Sequence, residues 1–233
     1  MSPTPSPASD GSASDGAAGL GARLEAGIDL GHGATLRLRT TEPDSLAAVH
    51  ALTLRNLDRL REWEPWAAGE QTAESLRLFT GFLEARYAHG GTIPALIVRN
   101  GLPIGAVTLK LDHHLGTGEL GYWIDAEAEG AGLVTRAAAI LRDEAWFLGL
   151  SRLEIRSAAA NTRSRRVAER LGFRLEGILR SALPFAERRL DVALYALLAS
   201  DPAPAELGSS VRAPSGSASS DPAPPDAAPP VHP

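Results

Sequence analysis

Apolar and polar residues alternate through Ala34-Thr35-Leu36-Arg37-Leu38-Arg39-Thr40, the period of a half-buried strand. Thr41-Glu42-Pro43-Asp44 reads as a helix start, with Thr41 as N-cap and Pro43 in the first turn. Leu46, Val49, His50, Thr53, Leu54 and Leu57 then recur at helical spacing, and the aromatic turn Leu60-Arg61-Glu62-Trp63-Glu64-Pro65-Trp66 closes that helix. A second helix is predicted from Thr72 to about His89, with Leu76, Phe79, Leu83 and Tyr87 on one face and Gly90-Gly91 as its stop. Pro94–Arg99 and Ile104–Leu111 are strands joined at Asn100-Gly101, a strong hairpin signal. After a turn, Gly118–Ile124 continues the antiparallel meander. Leu133, Val134, Ala137, Ile140, Leu141, Ala145 and Leu148 form one apolar helical face, ended by Gly149. Arg152–Ser157 is a further strand, parallel to Gly121–Asp125 if the intervening helix is a right-handed crossover. Asn161 caps a helix carrying Ser164, Val167, Ala168 and Leu171. The last strands are Phe173–Leu179 and Arg189–Leu198, with Arg180–Arg188 irregular. The pattern predicts an α+β fold, a mixed αβα sandwich on a largely antiparallel sheet of six to seven strands with one central parallel pair.

The ends of the 233-residue chain differ from this middle. Residues 1–22 and 201–233 are rich in Ser, Pro, Ala and Gly. Such segments bury too little apolar surface to offset roughly 1–2 kcal/mol of backbone entropy per residue. Both are expected to be disordered tails around one domain at 23–200. Net charge is −5 without like-charged blocks, so no nucleic-acid binding is expected. Cysteine is absent, which excludes disulfides, Cys-ligated metals and thiol nucleophiles. The histidines have no metal-binding spacing, and no metal is expected; adjacent His113 and His114 point to opposite faces of an extended chain. No apolar run approaches the roughly 18 residues of a membrane span, and the N-terminus lacks the basic and apolar regions of a signal peptide. The expected compartment is the cytoplasm, with no membrane partner.

The candidate chemistry centres on Gly121–Arg136, a strand, a glycine loop and a helix start. The first turn of a helix has orphan amides and a partial positive charge, and Gly130 and Gly132 let an anion approach the main chain closely. The loop can therefore hold a pyrophosphate, or be a plain strand-to-helix turn. A dinucleotide-binding fold fits poorly: Thr135 stands at the third glycine of G-x-G-x-x-G, and an antiparallel meander precedes the loop. A Walker A loop is excluded because Gly-Lys-Ser/Thr is missing.

Three segments in order, Gly121-Tyr122-Trp123-Ile124, Glu129-Gly130-Ala131-Gly132-Leu133-Val134-Thr135 and Asn161–Phe173, resemble the GNAT acyltransferases. Within them the similarity is to the RimJ/RimL-type branch, which acetylates protein N-termini, notably of ribosomal proteins. The resemblance spans about Ala34–Leu198 and is strongest from Glu119 to Arg180. It implies that the central parallel strands splay apart around acetyl-CoA. Backbone groups of Tyr122, Trp123 and Ile124 would bind the pantetheine. The amides from Glu129 to Thr135 (Glu129, Gly130, Ala131, Gly132, Leu133, Val134, Thr135) would bind the pyrophosphate. Glu129 stands where the family has Arg or Gln, and Val134 where it has Gly or Ala. Asn161 and Arg166 would contact the cofactor arm; Arg136, Arg163 and Arg165 are further candidate cations, each equally readable as a solvated helix face.

The resemblance also implies direct attack of an amine on the thioester, with no acyl-enzyme, and a strand N–H near Ile124 stabilising the oxyanion. No G-x-S-x-G occurs in the folded part, consistent with that route. Ser164 is then the candidate acid for the leaving thiolate, and Glu119 the candidate base or amine-orienting group. Asn161 and Ser164 are also readable as simple helix caps. RimL-type enzymes place a Glu where Leu183 stands here. Trp63 and Trp66 could line the amine pocket or only pack. The implied acceptor is a protein N-terminus, with a small amine as the alternative. A non-catalytic acyl-CoA-binding module is the rival from another class, and a homodimer is compatible with either.

Overall fold

The computed structural model describes residues 12–185 and 188–202 of the chain. Eight strands form one sheet in the order β1-β2-β3-β4-β5-β6-β8-β7. They are β1 (Ile28–Gly31), β2 (Ala34–Leu38), β3 (Thr92–Arg99), β4 (Leu102–Asp112), β5 (Thr117–Ile124), β6 (Arg152–Ala158), β7 (Arg174–Phe185) and β8 (Arg188–Leu198). Every neighbouring pair is antiparallel except β5 and β6. The helices are α1 (Ser12–Ala26), α2 (Pro43–Arg55), α3 (Leu57–Leu60), α4 (Ala73–Ala88), α5 (Leu133–Phe147) and α6 (Thr162–Arg170), with a 3₁₀ turn at Pro65–Ala68. The sheet has one strand more than the alternation predicts. β1 is only four residues long, at the lower limit at which alternation carries a signal.

The main core lies where α1 and α5 cover the sheet. Leu133, Ala137, Leu141 and Ala145 on α5 pack with Val107, Leu109, Leu120, Leu153 and Ile155 from the central strands. The other face carries a smaller cluster in which Val49 of α2 meets Leu96 and Ala106, with Leu76, Val98 and Trp123 beside it. The side chains of β5 alternate accordingly. Leu120 belongs to the α5 side, while Trp123, an odd number of residues away, belongs to the α2 side.

Four sequence expectations are corrected. The N-terminal tail does not extend to residue 22, because α1 begins at Ser12. Its Leu20 and Leu24, four residues apart on one face, are buried in the main core. Gly21 lies between them, and a Cβ there would come within 2.4 Å of the Tyr87 hydroxyl, so the helix approaches α4 closely because it has no side chain at that point. Residues 1–11 and 203–233, where disorder is expected, lie outside the described residues. Secondly, Glu42 rather than Thr41 occupies the N-cap of α2, with no side-chain cap bond. The Thr41 hydroxyl donates instead to Glu84 of α4, at 2.8 Å. Thirdly, the helix expected to run to Leu60 breaks at Asn56. The Asn56 side chain donates to the Leu52 carbonyl and accepts the amide of Ala126, at 3.0 and 3.1 Å. Fourthly, Arg180–Phe185 is strand rather than irregular chain. The β7–β8 register shifts between Leu175 and Gly177 and again between Leu179 and Leu183, so β7 carries two bulges.

Asp125, at the end of β5, ties this second layer to the loop that follows. Its carboxylate accepts from Arg55 Nε at 3.1 Å and from the Glu127 amide at 3.4 Å. Burial pushes the Asp125 carboxyl up, but Arg55, the Glu127 amide and Asn56 together hold it below its ordinary value.

Leu24→Ala removes a fully buried side chain and is expected to cost about 2–5 kcal/mol in urea unfolding; a loss below 0.5 kcal/mol, order-of-magnitude by the same scale, would mean that α1 is not docked. A carboxyl with a depressed folded-state value stabilises the fold above its unfolded value of about 3.9, and that contribution disappears as pH falls through the folded value. Asp125→Asn should therefore cost about 1 kcal/mol at neutral pH, allowing for the half-exposed Arg55. The cost should begin to shrink below about pH 4 and keep falling as unfolding is followed down through the folded-state value.

Candidate active site

Pairing between the two parallel strands stops early. β5 and β6 are in register at Thr117 with Arg152, Gly118 with Leu153 and Glu119 with Glu154, and not beyond. Each strand stays paired on its other side, β5 with β4 as far as Ile124 and β6 with β8 as far as Ala158. The strands therefore diverge as two intact half-sheets, leaving a wedge between them. The Asp125 amide donates to the Ile104 carbonyl of β4 at 2.8 Å. Because strand amides alternate in direction, the N–H groups of Tyr122 and Ile124 point the opposite way, into the wedge.

The wedge leads to the glycine loop. A short 3₁₀ turn, Ala126–Ala128, ends in Glu129; Gly130 and Gly132 both take left-handed φ, at 85° and 71°. Gly132 occupies the N-cap of α5 and offers no side chain to cap it. The first amide to close a helical bond is that of Arg136, to the Gly132 carbonyl at 3.1 Å. Among the described residues, none of the amides from Gly130 to Thr135 donates to a protein group. The side chains of Leu133, Val134 and Thr135 are buried, so this turn presents main chain outward. Val134 stands where the family has a small residue, but its side chain turns into the core and leaves the outward main-chain surface of the turn bare.

Charge around the loop is arranged differently from the sequence expectation. Glu129 is paired with Arg163 of α6 at 3.3 Å and, by a short contact, with Arg59 of α3. Arg59 also donates to the Ile124 carbonyl. The acid at the head of the loop is thus neutralised by two guanidinium groups from opposite walls. Arg166 is exposed on α6 and lines the cleft, on the same face as Arg163 and Arg170. Arg136 and Arg165 are committed elsewhere. Arg136 donates to the Leu30 carbonyl at 2.8 Å, and Arg165 to the Tyr195 hydroxyl and the Ala159 carbonyl at 2.9 and 3.0 Å.

Across the wedge, Asn161 caps α6 by accepting the Ser164 amide at 3.1 Å. Tyr122 donates its hydroxyl to the Ser164 carbonyl at 2.9 Å, tying β5 to α6. Burial pushes the Tyr122 phenol up to about 12, so it remains a donor at neutral pH. Ser164 and Tyr122 both line the cleft. Glu119 sits where the strands part, 2.8 Å from the Lys110 ammonium and 3.9 Å from Arg156. It is an ion-paired carboxylate rather than a free one.

One cavity of about 1960 Å³ joins these parts. It runs from the glycine loop through the wedge to a wall made by the 3₁₀ turn at Pro65–Ala68 and α4, with Leu183 of β7 on its rim. Trp63, Trp66 and Trp123 line that wall, and Trp66 and Trp123 lie 6.4 Å apart, tilted by 49°. His50 is not part of it; its Nε2 is 2.8 Å from the Gln71 carbonyl oxygen. The sequence did not single out Arg59 or Glu64. Arg59, on α3, meets Glu129 and Ile124 some 65 to 70 residues along the chain, and Glu64 is held by Trp66 of the adjoining 3₁₀ turn.

The model of the acetyltransferase (GNAT) domain family matches residues 35–174. The putative ribosomal N-acetyltransferase YdaF of Bacillus subtilis is 32% identical over 166 residues, covering 70% of this chain and 91% of that protein. The ribosomal-protein-serine acetyltransferase of Escherichia coli is 27% identical over 164 residues, covering 70% and 92%. Among solved structures, Mycobacterium smegmatis RimJ in complex with CoA-disulfide superposes with a TM-score of 0.65 at 28% identity, over 71% of this chain and 82% of that one. With its wedge, bare glycine loop and capped α6 in the family's order, the chain belongs to the GNAT acetyltransferases.

Proposed function

We propose that this chain transfers the acetyl group of acetyl-CoA to a primary amine by direct attack, and that the acceptor is a protein N-terminal α-amine. The observation that carries the reading is the wedge between β5 and β6 ending at the bare amides of Gly130–Thr135. Unpaired main-chain donors at a helix start suit a diphosphate, and the edge amides of Tyr122 and Ile124 suit an extended amide-bearing arm. Acetyl-CoA supplies the thioester. The chain's part is to hold it along the edge of β5, with Arg163 and Arg166 beside the phosphates.

The edge N–H groups of β5 lie where a developing oxyanion would need donors. Ser164, on the first turn of α6, delivers a proton to the leaving thiolate, directly or through water. Tyr122 positions that turn through its bond to the Ser164 carbonyl. Glu119, held by Lys110, orients the amine rather than acting as a free base.

The acceptor class follows from proton cost and from the relatives, which are named for ribosomal proteins. An α-amine has a pKa of about 8 and a lysine of about 10.4, so deprotonating lysine at neutral pH costs roughly 3 kcal/mol more. The cysteine-free chain needs no acyl-enzyme. Among the described residues no group of His, Asp and Glu is arranged to hold a metal ion, and no helix is long and apolar enough to cross a membrane.

In a thiol-release assay with acetyl-CoA, peptides with a free α-amine should exceed α-blocked lysine peptides in kcat/KM by roughly 10²-fold at pH 7. Equal or reversed preference, or turnover confined to polyamines, would move the acceptor to the small-amine class. Ser164→Ala should lower kcat by about 10- to 100-fold while CoA affinity by calorimetry stays within about twofold; an unchanged kcat would remove Ser164 from the thiolate.

A further inference from the structure

One carboxylate in the cleft stands apart from the others. Five glutamates line it: Glu62, Glu64, Glu70, Glu119 and Glu129. Glu119 and Glu129 are ion-paired, and Glu62 and Glu70 are exposed. Glu64 is partly buried, and among the described residues it forms no salt bridge within 4 Å. One of its oxygens, Oε2, accepts the indole N–H of Trp66 at 2.9 Å. The other has no hydrogen-bond partner among the described residues and is not sealed in the interior. A partly desolvated carboxylate with one oxygen anchored and one open to the cleft is further stabilised by a cation that completes it.

The surroundings suit a particular cation. In the chain Glu64 stands between Trp63 and Trp66; all three line the cleft, and Trp66 lies against Trp123, whose strand neighbours Tyr122 and Ile124 send their amides into the wedge. Aromatic faces beside a carboxylate attract an ammonium both through the ring quadrupole and through charge. The site is on the same face of the sheet as Lys110 and Glu119, the groups at the point where the strands part.

We propose that Glu64, framed by Trp63, Trp66 and Trp123, is the acceptor-ammonium receptor of this enzyme and the group that takes the ammonium proton before attack. This rests on the acetyl-transfer reading above. The proton account closes. Glu64 Oε1 removes one proton from R–NH₃⁺. The freed nitrogen lone pair forms the C–N bond to the thioester carbon. The C–S bond then breaks, and the second nitrogen proton is lost as the thiolate gains one through Ser164. Products are the acetamide, CoA thiol and a proton that Glu64 returns to solvent. Lys110 holds Glu119 in its ion pair and leaves this task to Glu64. Burial pushes the Glu64 carboxyl above its ordinary value, opposed by the Trp66 hydrogen bond and by nearby Lys110, a shift toward a stronger base.

The test uses the full chain, acetyl-CoA, and whichever probe among free-amine hexapeptides beginning with Ser or Ala and the amine spermidine gives the fastest thiol release. Glu64→Gln should lower acceptor kcat/KM by about 10²-fold or more at pH 7, leave CoA affinity within about twofold, and recover as pH rises past the pKa of the probe's amine, about 8 for the peptides and about 10 for spermidine. Trp66→Phe keeps the carboxylate but removes the bond that lowers its pKa, so the acid limb of the rate profile should move to higher pH. A role limited to packing would not shift that limb. Glu64→Gln within threefold of wild type across pH 6–9, or a loss explained wholly by weaker CoA binding or lower Tm, overturns the assignment and leaves acetyl transfer standing. A wild type that binds CoA yet releases no thiol with any probe overturns both.

Discussion

The fold is organised around an interrupted ladder. Two parallel strands that begin in register at Thr117 and Arg152 abandon each other after Glu119 and Glu154. Backbone donors inside a fold are almost always paired, so an opening in mid-sheet is stable only if something else meets them. The two half-sheets remain rigid because each diverging strand keeps its outer partner. The Tyr122–Ser164 bond spans the gap and sets its width at one point. The groups left facing the wedge are then a built recognition edge, continuous with the uncapped start of α5.

Much of this was legible because it is local. Asn100-Gly101 fixes a hairpin, Thr72 caps α4 through a reciprocal bond with Ser75, and Asn161 caps α6. The glycine loop declared itself by Gly130 and Gly132, which the structure indeed holds at positive φ. What was not legible is tertiary. The composition of α1 is that of a linker, and its order comes from burying Leu20 and Leu24 against elements far along the chain. The break at Asn56 is decided by Ala126, 70 residues away. Glu64 reads as an ordinary turn glutamate until Trp66 and the opposite cleft wall are in place.

The departure at Glu129 has the same origin. A carboxylate at the head of a phosphate-binding loop conflicts with its task only while its neighbours are unknown. Arg59 and Arg163 approach it from the two walls and convert a like-charge conflict into a cationic pair around one acid. The local sum is net positive, and the main-chain donors of the next residues stay available. Arg59 meanwhile satisfies the Ile124 carbonyl, so the end of β5 and the glycine loop share one side chain.

The outermost strand has a different consequence. β7 is a sheet edge of 12 residues with Leu175, Ile178 and Leu179 exposed, the description of a template on which further chains could stack. Its bulges divide the ladder into short runs, Ser181 turns through a left-handed φ of 50°, and Pro184 contributes no amide. A second molecule meeting this edge finds no straight row of donors and acceptors to copy. The bulges, the left-handed turn and the proline of β7 thus work against edge-to-edge stacking of copies.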